Sequence, residues 1–294
     1  MRKFNIGIVG LGGIGGLLAV LLANKNFKVF TSKKIKKNST LYLKSKFYGN
    51  LKTNIKFDKT LKKMDLIFVC SKYPYLKKNL KFISNNKALI IPFLNGLSHF
   101  KILKKKFGKK LLTSTIGKIV SKKITNNKII HESNNKPEVL INLSNIKKKQ
   151  KEFLLKIFKI VDIKIKVIKN KNELIWIKLI RLSAISAITS LYNCNLGKIR
   201  NTKIKSNELN SLLKESIKLS KKIFKNNFKI NEIQKVINTF PDELTTSLQR
   251  DIVLKVNSEL ETQVGSIVKL SNKYKIDLPT YKKIYFKLKK IEKN

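Results

Sequence analysis

Three observations place this chain in the α/β class. A charge-free run, Asn5 to Ala23, opens on a short apolar segment and a glycine-rich turn; short apolar runs ending in polar residues recur to about residue 169; beyond that point the periodicity is helical and no strand signal remains. Together they predict a Rossmann-type doubly wound parallel sheet over residues 1–169, followed by an all-helical second domain over residues 170–294. With 294 residues and 42% apolar content, the chain can bury a core in each domain.

The opening run, "NIGIVGLGGIGG" followed by "LLAVLLA", is long enough to pass for a membrane-spanning helix, with Arg2 and Lys3 as its positive flank. Its glycines argue otherwise. Six of the 12 glycines in the chain lie here, and each costs a helix about 1 kcal/mol against alanine. The run reads as a strand, "FNIGIVG", a turn, "GLGGIGG", and an apolar helix, "LLAVLLAN", with "FKVFTS" as the second strand of a βαβ unit. Gly10, Gly12 and Gly15 match the G-x-G-x-x-G spacing: a sharp turn, a close backbone approach to pyrophosphate, and tight helix-to-strand packing. A plain structural turn can imitate that spacing, but strand before and helix after favour a dinucleotide. The backbone of Gly10, Leu11, Gly12, Gly13, Ile14 and Gly15 would hold its phosphates at the helix start.

An acidic residue after the second strand would bind the ribose hydroxyls of NADH. Here the segment is "TSKK", Thr31, Ser32, Lys33 and Lys34, and its hydroxyls and positive charge suit a 2′-phosphate, so the expected cofactor is NADPH. Next come "MDLIFVCSK" and "ALIIPFLNG", buried parallel strands whose carboxyl ends carry Ser71, Lys72, Asn95 and Gly96, where such sheets bind ligands. Strands at "NKIIHE" and "EVLINLS", a helix over 146–160 and the strand "IKIKVI" complete the first domain. In the second, helices are expected over 172–192, 206–226, 231–239, 247–274 and 280–292, with breaks at Gly197, Pro241 and Pro279.

A net charge of +48 would ordinarily point to nucleic acid or an anionic membrane. The excess is lysine, however, spread over nearly the whole length alongside abundant Ile and Asn, with no basic arm and no interleaved aromatics. No specific nucleic-acid partner and no membrane are expected. Two cysteines, Cys70 and Cys194, and no cleavage site after the apolar run suggest the cytoplasm; His99 and His131, the only histidines, read as packing or surface residues. A homodimer is compatible with the sequence.

Where lysine is this common, its absence is informative. Lysine-free stretches run over 4–24, 64–71, 88–100, 172–197 apart from Lys178, and 236–254. Lys178 stands alone among Trp176, Leu179, Ile180, Leu182 and Ile185. An ammonium desolvated there would titrate toward neutrality and suit a proton donor; a lysine snorkelling from a domain rim fits the same residues. Glu259 follows Ser247 by about three helical turns, so the two share a face if one helix spans 247–274. A carboxylate there can orient Lys178 or bind a substrate hydroxyl, or be an ordinary solvated helix residue.

In order and spacing, "GLGGIGG", "VCSK", "LNG", "WIKL", "TSLQRD" and "SELE" resemble the ketopantoate reductase (2-dehydropantoate 2-reductase) family over essentially the whole chain. The resemblance implies a Rossmann domain joined to an all-helical domain, reducing a small 2-oxo acid, 2-dehydropantoate, with NADPH in the cleft between them, toward pantothenate and coenzyme A. It also implies that Lys178 is the general acid and that Glu259 orients it and binds the substrate hydroxyl. Ser247 would contact the substrate carboxylate, Asn95 would lie near nicotinamide and substrate, and Lys72 near the cofactor. The chain departs from the family where asparagines are usual, carrying Leu182 one turn after Lys178 and Ser186 a turn further. Ser186 is retained as a candidate substrate contact, Arg181 and Ser183 are polar neighbours out of register, and the departures leave room for a different short 2-oxo acid.

Overall fold

The computed structural model describes residues 4–32, 40–84, 87–144 and 146–293. The chain forms two compact units, Met1–Leu94 with Phe100–Leu174, and Asn95–His99 with Ile175–Asn294.

In the first unit β1 (Asn5–Val9), α1 (Gly13–Asn24) and β2 (Lys28–Thr31) make the opening βαβ unit. There follow β3 (Thr40–Ser45), β4 (Gly49–Asn54), β5 (Lys56–Phe57), β6 (Leu66–Val69), α2 (Tyr73–Leu80), β7 (Leu89–Pro92), and α3 (Ser98–Phe107). Next are β8 (Thr113–Lys118), β9 (Ser121–Lys123), β10 (Lys128–His131), β11 (Glu138–Asn142), α4 (Lys148–Ile160) and β12 (Lys164–Val167). The central sheet is parallel throughout, in the order β5-β2-β1-β6-β7. β6 and β7 are apolar at every position because both faces of this sheet are covered. The chain winds outward from β1 in one direction and resumes at β6 in the other, so the carboxyl ends of β1 and β6 flank the switch point where such sheets bind nucleotides.

Two smaller sheets surround this frame, β4-β3-β10-β9 and β12-β11-β8. The strand expected at "NKIIHE" is β10, and it lies in the first of these, parallel to β3 and antiparallel to β9. This arrangement explains the charge-free helix. Leu17, Leu18 and Leu22 of α1 pack in one cluster with Ile6, Ile8 and Phe68 of the central sheet and with Leu41, Leu43 and Ile129 of the second. A helix between two sheets has no solvated face and is apolar all round.

The second half is helical: α5 (Lys171–Tyr192), α6 (Leu196–Arg200), α7 (Lys203–Phe224), α8 (Ile230–Asn238), α9 (Ser247–Val253), α10 (Leu260–Lys273) and α11 (Pro279–Lys293). Among the described helices α5 alone is long and apolar enough to cross a membrane, but 67% of its apolar window is buried within the fold. Trp176, Ile180, Ala184 and Ile188 of α5 meet Leu212, Leu219, Val264, Ile267, Tyr281 and Ile284 in one core.

Two expected boundaries are corrected. α5 ends at a left-handed Asn193 (φ 43°), and Asn195 caps α6 by accepting the Lys198 amide at 2.9 Å, so Gly197 lies inside a helix rather than at a break. The continuous helix expected over 247–274 is two helices. Lys255 adopts φ 50°, and the amides of Lys255 and Val256 bond back to Ile252 and Asp251 at 3.1 and 3.0 Å. That is a Schellman closure, which ends α9, and α10 starts afresh with the Leu260 amide on Ser258 Oγ at 3.1 Å. The shared face expected of Ser247 and Glu259 therefore does not exist: Ser247 opens α9 and Glu259 precedes α10.

Candidate active site

The first unit carries the glycine turn. Gly10 follows β1 at φ 95°, and a Cβ on it would lie 2.6 Å from the Ser71 amide nitrogen beyond β6. Only glycine makes this bend against the neighbouring strand end. A Cβ on Gly15 would fall on the Gly10 carbonyl, which brings the start of α1 hard against the turn; Gly13 meets the backbone of Ser121 in the same way. Gly12 differs, because nothing lies within 4 Å of where its Cβ would be. Gly12 is also the N-cap of α1 and offers no side-chain cap, and the first turn holds no acidic residue. The amides of Gly13, Ile14 and Gly15 precede the first intrahelical donor, Gly16, which bonds to Gly12 oxygen at 2.8 Å. Open space beside uncapped amides fits a phosphate, with Gly10 and Leu11 shaping the approach.

Around this turn Ser32 is buried just after β2, and Lys72 is exposed at the N-cap of α2. Lys33 and Lys34 lie outside the described residues. Asp58, whose amide bonds to the Thr31 carbonyl at 3.1 Å, spends its Oδ1 on the amides of Thr60 and Leu61 at 2.9 and 3.1 Å. That carboxylate shapes a turn.

In the second unit the structure joins three of the expected residues. Lys178, half-buried on α5, donates from Nζ to Asn95 Oδ1 at 2.8 Å, and Asn95 Nδ2 donates to Glu259 Oε2 at 3.4 Å. The amide thus links ammonium to carboxylate. Burial pulls Lys178 from its ordinary 10.5 down to about 7; the Glu259 charge opposes this and the Arg181 charge adds to it. A cation poised there can release a proton near neutrality.

Asn95 reaches Lys178 because residues 95–99, which follow β7 and run into the first residues of α3, belong to the helical unit. Gly96 adopts φ 80°, and a Cβ on it would fall on the Thr262 carbonyl of α10, 2.6 Å from its carbon. Leu97 packs against the helical core. His99 is fully buried, and burial lowers it to about 3, against the effect of its hydrogen bond to the Asn95 backbone and with that of the Lys178 charge. It is a neutral imidazole beside the cluster.

Sequence reasoning passed over Gly96 as a positioning element, His99, and Gln263, which is fully buried on α10 and donates from Nε2 to Glu259 Oε2 at 3.4 Å. His99 and Gly96 lie in the lysine-free stretch 88–100, and Gln263 lies one turn after Glu259; both signals were available. Ser247 and Ser186 are not bonded to the cluster. Ser247 follows the cap residue Thr246, whose hydroxyl lies 3.2 Å from Thr189 Oγ1, about three turns along α5 from Lys178. Ser186 is fully buried, and its Oγ has no hydrogen-bond partner among the described residues. No group of three or more His, Cys, Asp or Glu gathers among the described residues.

Residues 6–141 match the family model described as "Ketopantoate reductase PanE/ApbA", and residues 170–292 match "Ketopantoate reductase PanE/ApbA C terminal". No curated protein matches at a significant level. Among solved structures, D-mandelate dehydrogenase in its ternary structure with NADH and anilino(oxo)acetate is similar at TM-score 0.87 and 16% identity, over 98% of each chain. A PanE/ApbA family ketopantoate reductase from Ralstonia eutropha JMP134 gives 0.84 at 16% identity, also over 98% of each. The dimeric ketopantoate reductase of Staphylococcus aureus gives 0.78 at 21% identity over 99% of each.

Proposed function

The chain belongs to the ketopantoate reductase family, whose members are oxidoreductases, and from that premise we propose that it reduces 2-dehydropantoate to pantoate with NADPH, Lys178 giving the proton. Reduction of a 2-oxo acid by a nicotinamide cofactor goes with the family; the particular acid and the 2′-phosphate are our reading. The observation that carries it is the chain of contacts from Lys178 through Asn95 to Glu259.

Bound NADPH supplies a hydride. The residues that would hold it are the backbone of Gly10 to Gly15, with Ser32, Lys33 and Lys72 around it and Asn95 toward the nicotinamide. Lys178 places an ammonium against the substrate carbonyl oxygen, stabilises the negative charge that grows there, and transfers a proton to that oxygen. Such acid catalysis is typically worth about 10² to 10⁴ in rate. Asn95 holds the ammonium in place, Glu259 keeps it charged against the pull of burial and accepts a substrate hydroxyl, and Ser247 and Ser186 are assigned to the rest of the acid.

Loss of NADPH absorbance with 2-dehydropantoate tests the reading, and cofactor binding without oxidation by any small 2-oxo acid would overturn it. The pH profile gives a sharper check. Reduction needs the acid form of Lys178, so the rate should be level below about 7 and fall about tenfold per unit above it. Oxidation of the hydroxy acid needs the amine and should rise through the same region. Glu259→Gln removes a charge that favours the ammonium, so it should move the alkaline limb to lower pH. A limb unmoved by this change would remove Glu259 from its assigned role.

Cofactor choice has its own test. The Asp58 carboxylate is engaged in its turn, and the sequence "TSKK" starts at the last residue of β2, which supports the 2′-phosphate. Replacing Lys33 and Lys34 by Asp is expected to narrow the preference for NADPH over NADH, read from kcat/KM with each cofactor. An unaltered ratio would refute the assignment.

A further inference from the structure

We propose that Gln263 is a positioning residue of this site: its buried side-chain amide fixes the Glu259 carboxylate and keeps it ionised, leaving its own carbonyl oxygen unpaired. The proposal rests on Glu259 serving Lys178, as argued above, and goes on to what serves Glu259.

Glu259 is only 6% exposed, and a carboxylate so placed stays charged only where donors replace the water it has lost. Two side-chain amides donate to one of its oxygens, Oε2, each at 3.4 Å: Asn95 Nδ2 from the segment after β7, and Gln263 Nε2 from α10. Asn95 gives its other end to Lys178. Gln263 has no such second duty, for its Oε1 is buried without a partner among the described residues.

Gln263 stands four residues after Glu259, and its backbone N–H donates to the Glu259 carbonyl at 3.0 Å at the start of α10. Helical side chains lean toward the helix N-terminus, so this one turns back over Glu259. The flanking Leu260, Val264 and Ile267 belong to the apolar core of the unit. An apolar side chain of similar length would suit the position, and an unpaired buried carbonyl is destabilising, so packing does not account for a glutamine here. Nor can the amide be turned over to relieve its carbonyl. Oε1 would then meet a carboxylate oxygen, acceptor against acceptor.

The ionisable groups around the carboxylate explain why the donor is an amide. From α5 come the Lys178 ammonium, which the Glu259 charge favours, and Arg181, whose charge disfavours it. His99 is neutral. Glu261 of α10 is engaged with Lys269, Tyr285 and Lys289, and Glu292 of α11 with Ser258 and Lys289. A lysine or arginine at position 263 would hold the carboxylate but repel the ammonium it supports. An amide favours the first without disfavouring the second.

Gln263→Met keeps the length of the side chain and drops the donor. In NMR of protein isotope-labelled at the glutamate carboxyl carbons, the Glu259 resonance is the one missing from Glu259→Gln, and its titration needs neither substrate nor turnover. Its midpoint should rise by about one to two units in Gln263→Met, the worth of one donor to a charged acceptor. Melting should stay level or rise, because an unpaired carbonyl has gone. With NADPH and 2-dehydropantoate, kcat/KM should fall about tenfold in the native background and no further in Glu259→Gln, since a residue acting through Glu259 has nothing left to act on. Gln263→Leu, a second apolar replacement, should repeat both results. A midpoint unmoved in both variants, or an equal loss of rate in both backgrounds, overturns the proposal. A raised midpoint in protein that reduces no 2-oxo acid upholds Gln263 and sinks the reductase reading instead.

Discussion

Lys178→Ala is expected to lower turnover at least about a hundredfold while leaving NADPH affinity nearly intact. The side chain supplies both a positive charge opposite a growing alkoxide and the proton that quenches it, and no other described cation bonds to Asn95. The phosphate cradle belongs to the other unit, so the substitution leaves cofactor binding alone. It also suits the helix: alanine is a better helix former than lysine, and removing a partly desolvated ammonium relieves a cost of folding. Loss of activity with unchanged melting would therefore report chemistry. Lys178→Arg should be nearly as inactive, since a guanidinium keeps its charge but does not give up its proton. Wild-type turnover in Lys178→Ala would take the residue out of the mechanism.

The lysine bias made much of this legible. Where lysine occupies nearly every solvated position, the stretches without it coincide with β1 and α1, β6, β7 and the segment after it, α5, and α9, all of them buried or beside the site. Lys178 stood out for the same reason. What escaped depended on contacts distant in sequence or on unusual backbone. The end of α9 uses a left-handed lysine, Lys255, where a glycine would have announced it, so the helix read as continuous and Ser247 was set on the face of Glu259. β4 was hidden because its pattern is polar, with most positions exposed. The placing of residues 95–99 in the helical unit has no local signature at all; it follows from Gly96 meeting α10, which no periodicity reveals. That meeting is also what gives Asn95 its position, so the least readable feature of the chain governs the most readable site.

Gly96→Ala should accordingly be severe, although the residue has no side chain with which to bond a substrate or Lys178. At φ 80° a side chain is strained, and the new Cβ would fall on the Thr262 carbonyl, a backbone group of α10 that cannot swing aside. Segment and helix must part, and Asn95 moves with the segment. A shift of about 1 Å in a catalytic array costs on the order of a hundredfold, so kcat should fall about that far, close to the loss in Asn95→Ala. The pH profile separates a positioning role from general damage. Asn95 Oδ1 accepts a hydrogen bond from the charged form of Lys178; without it the ammonium is less favoured, and the alkaline limb should slide below about 7 in both variants. NADPH affinity should hold, since the glycine turn is in the other unit. If Gly96→Ala keeps the native limb while losing rate, the glycine serves the packing of α10 alone, and Asn95 owes its place to something else.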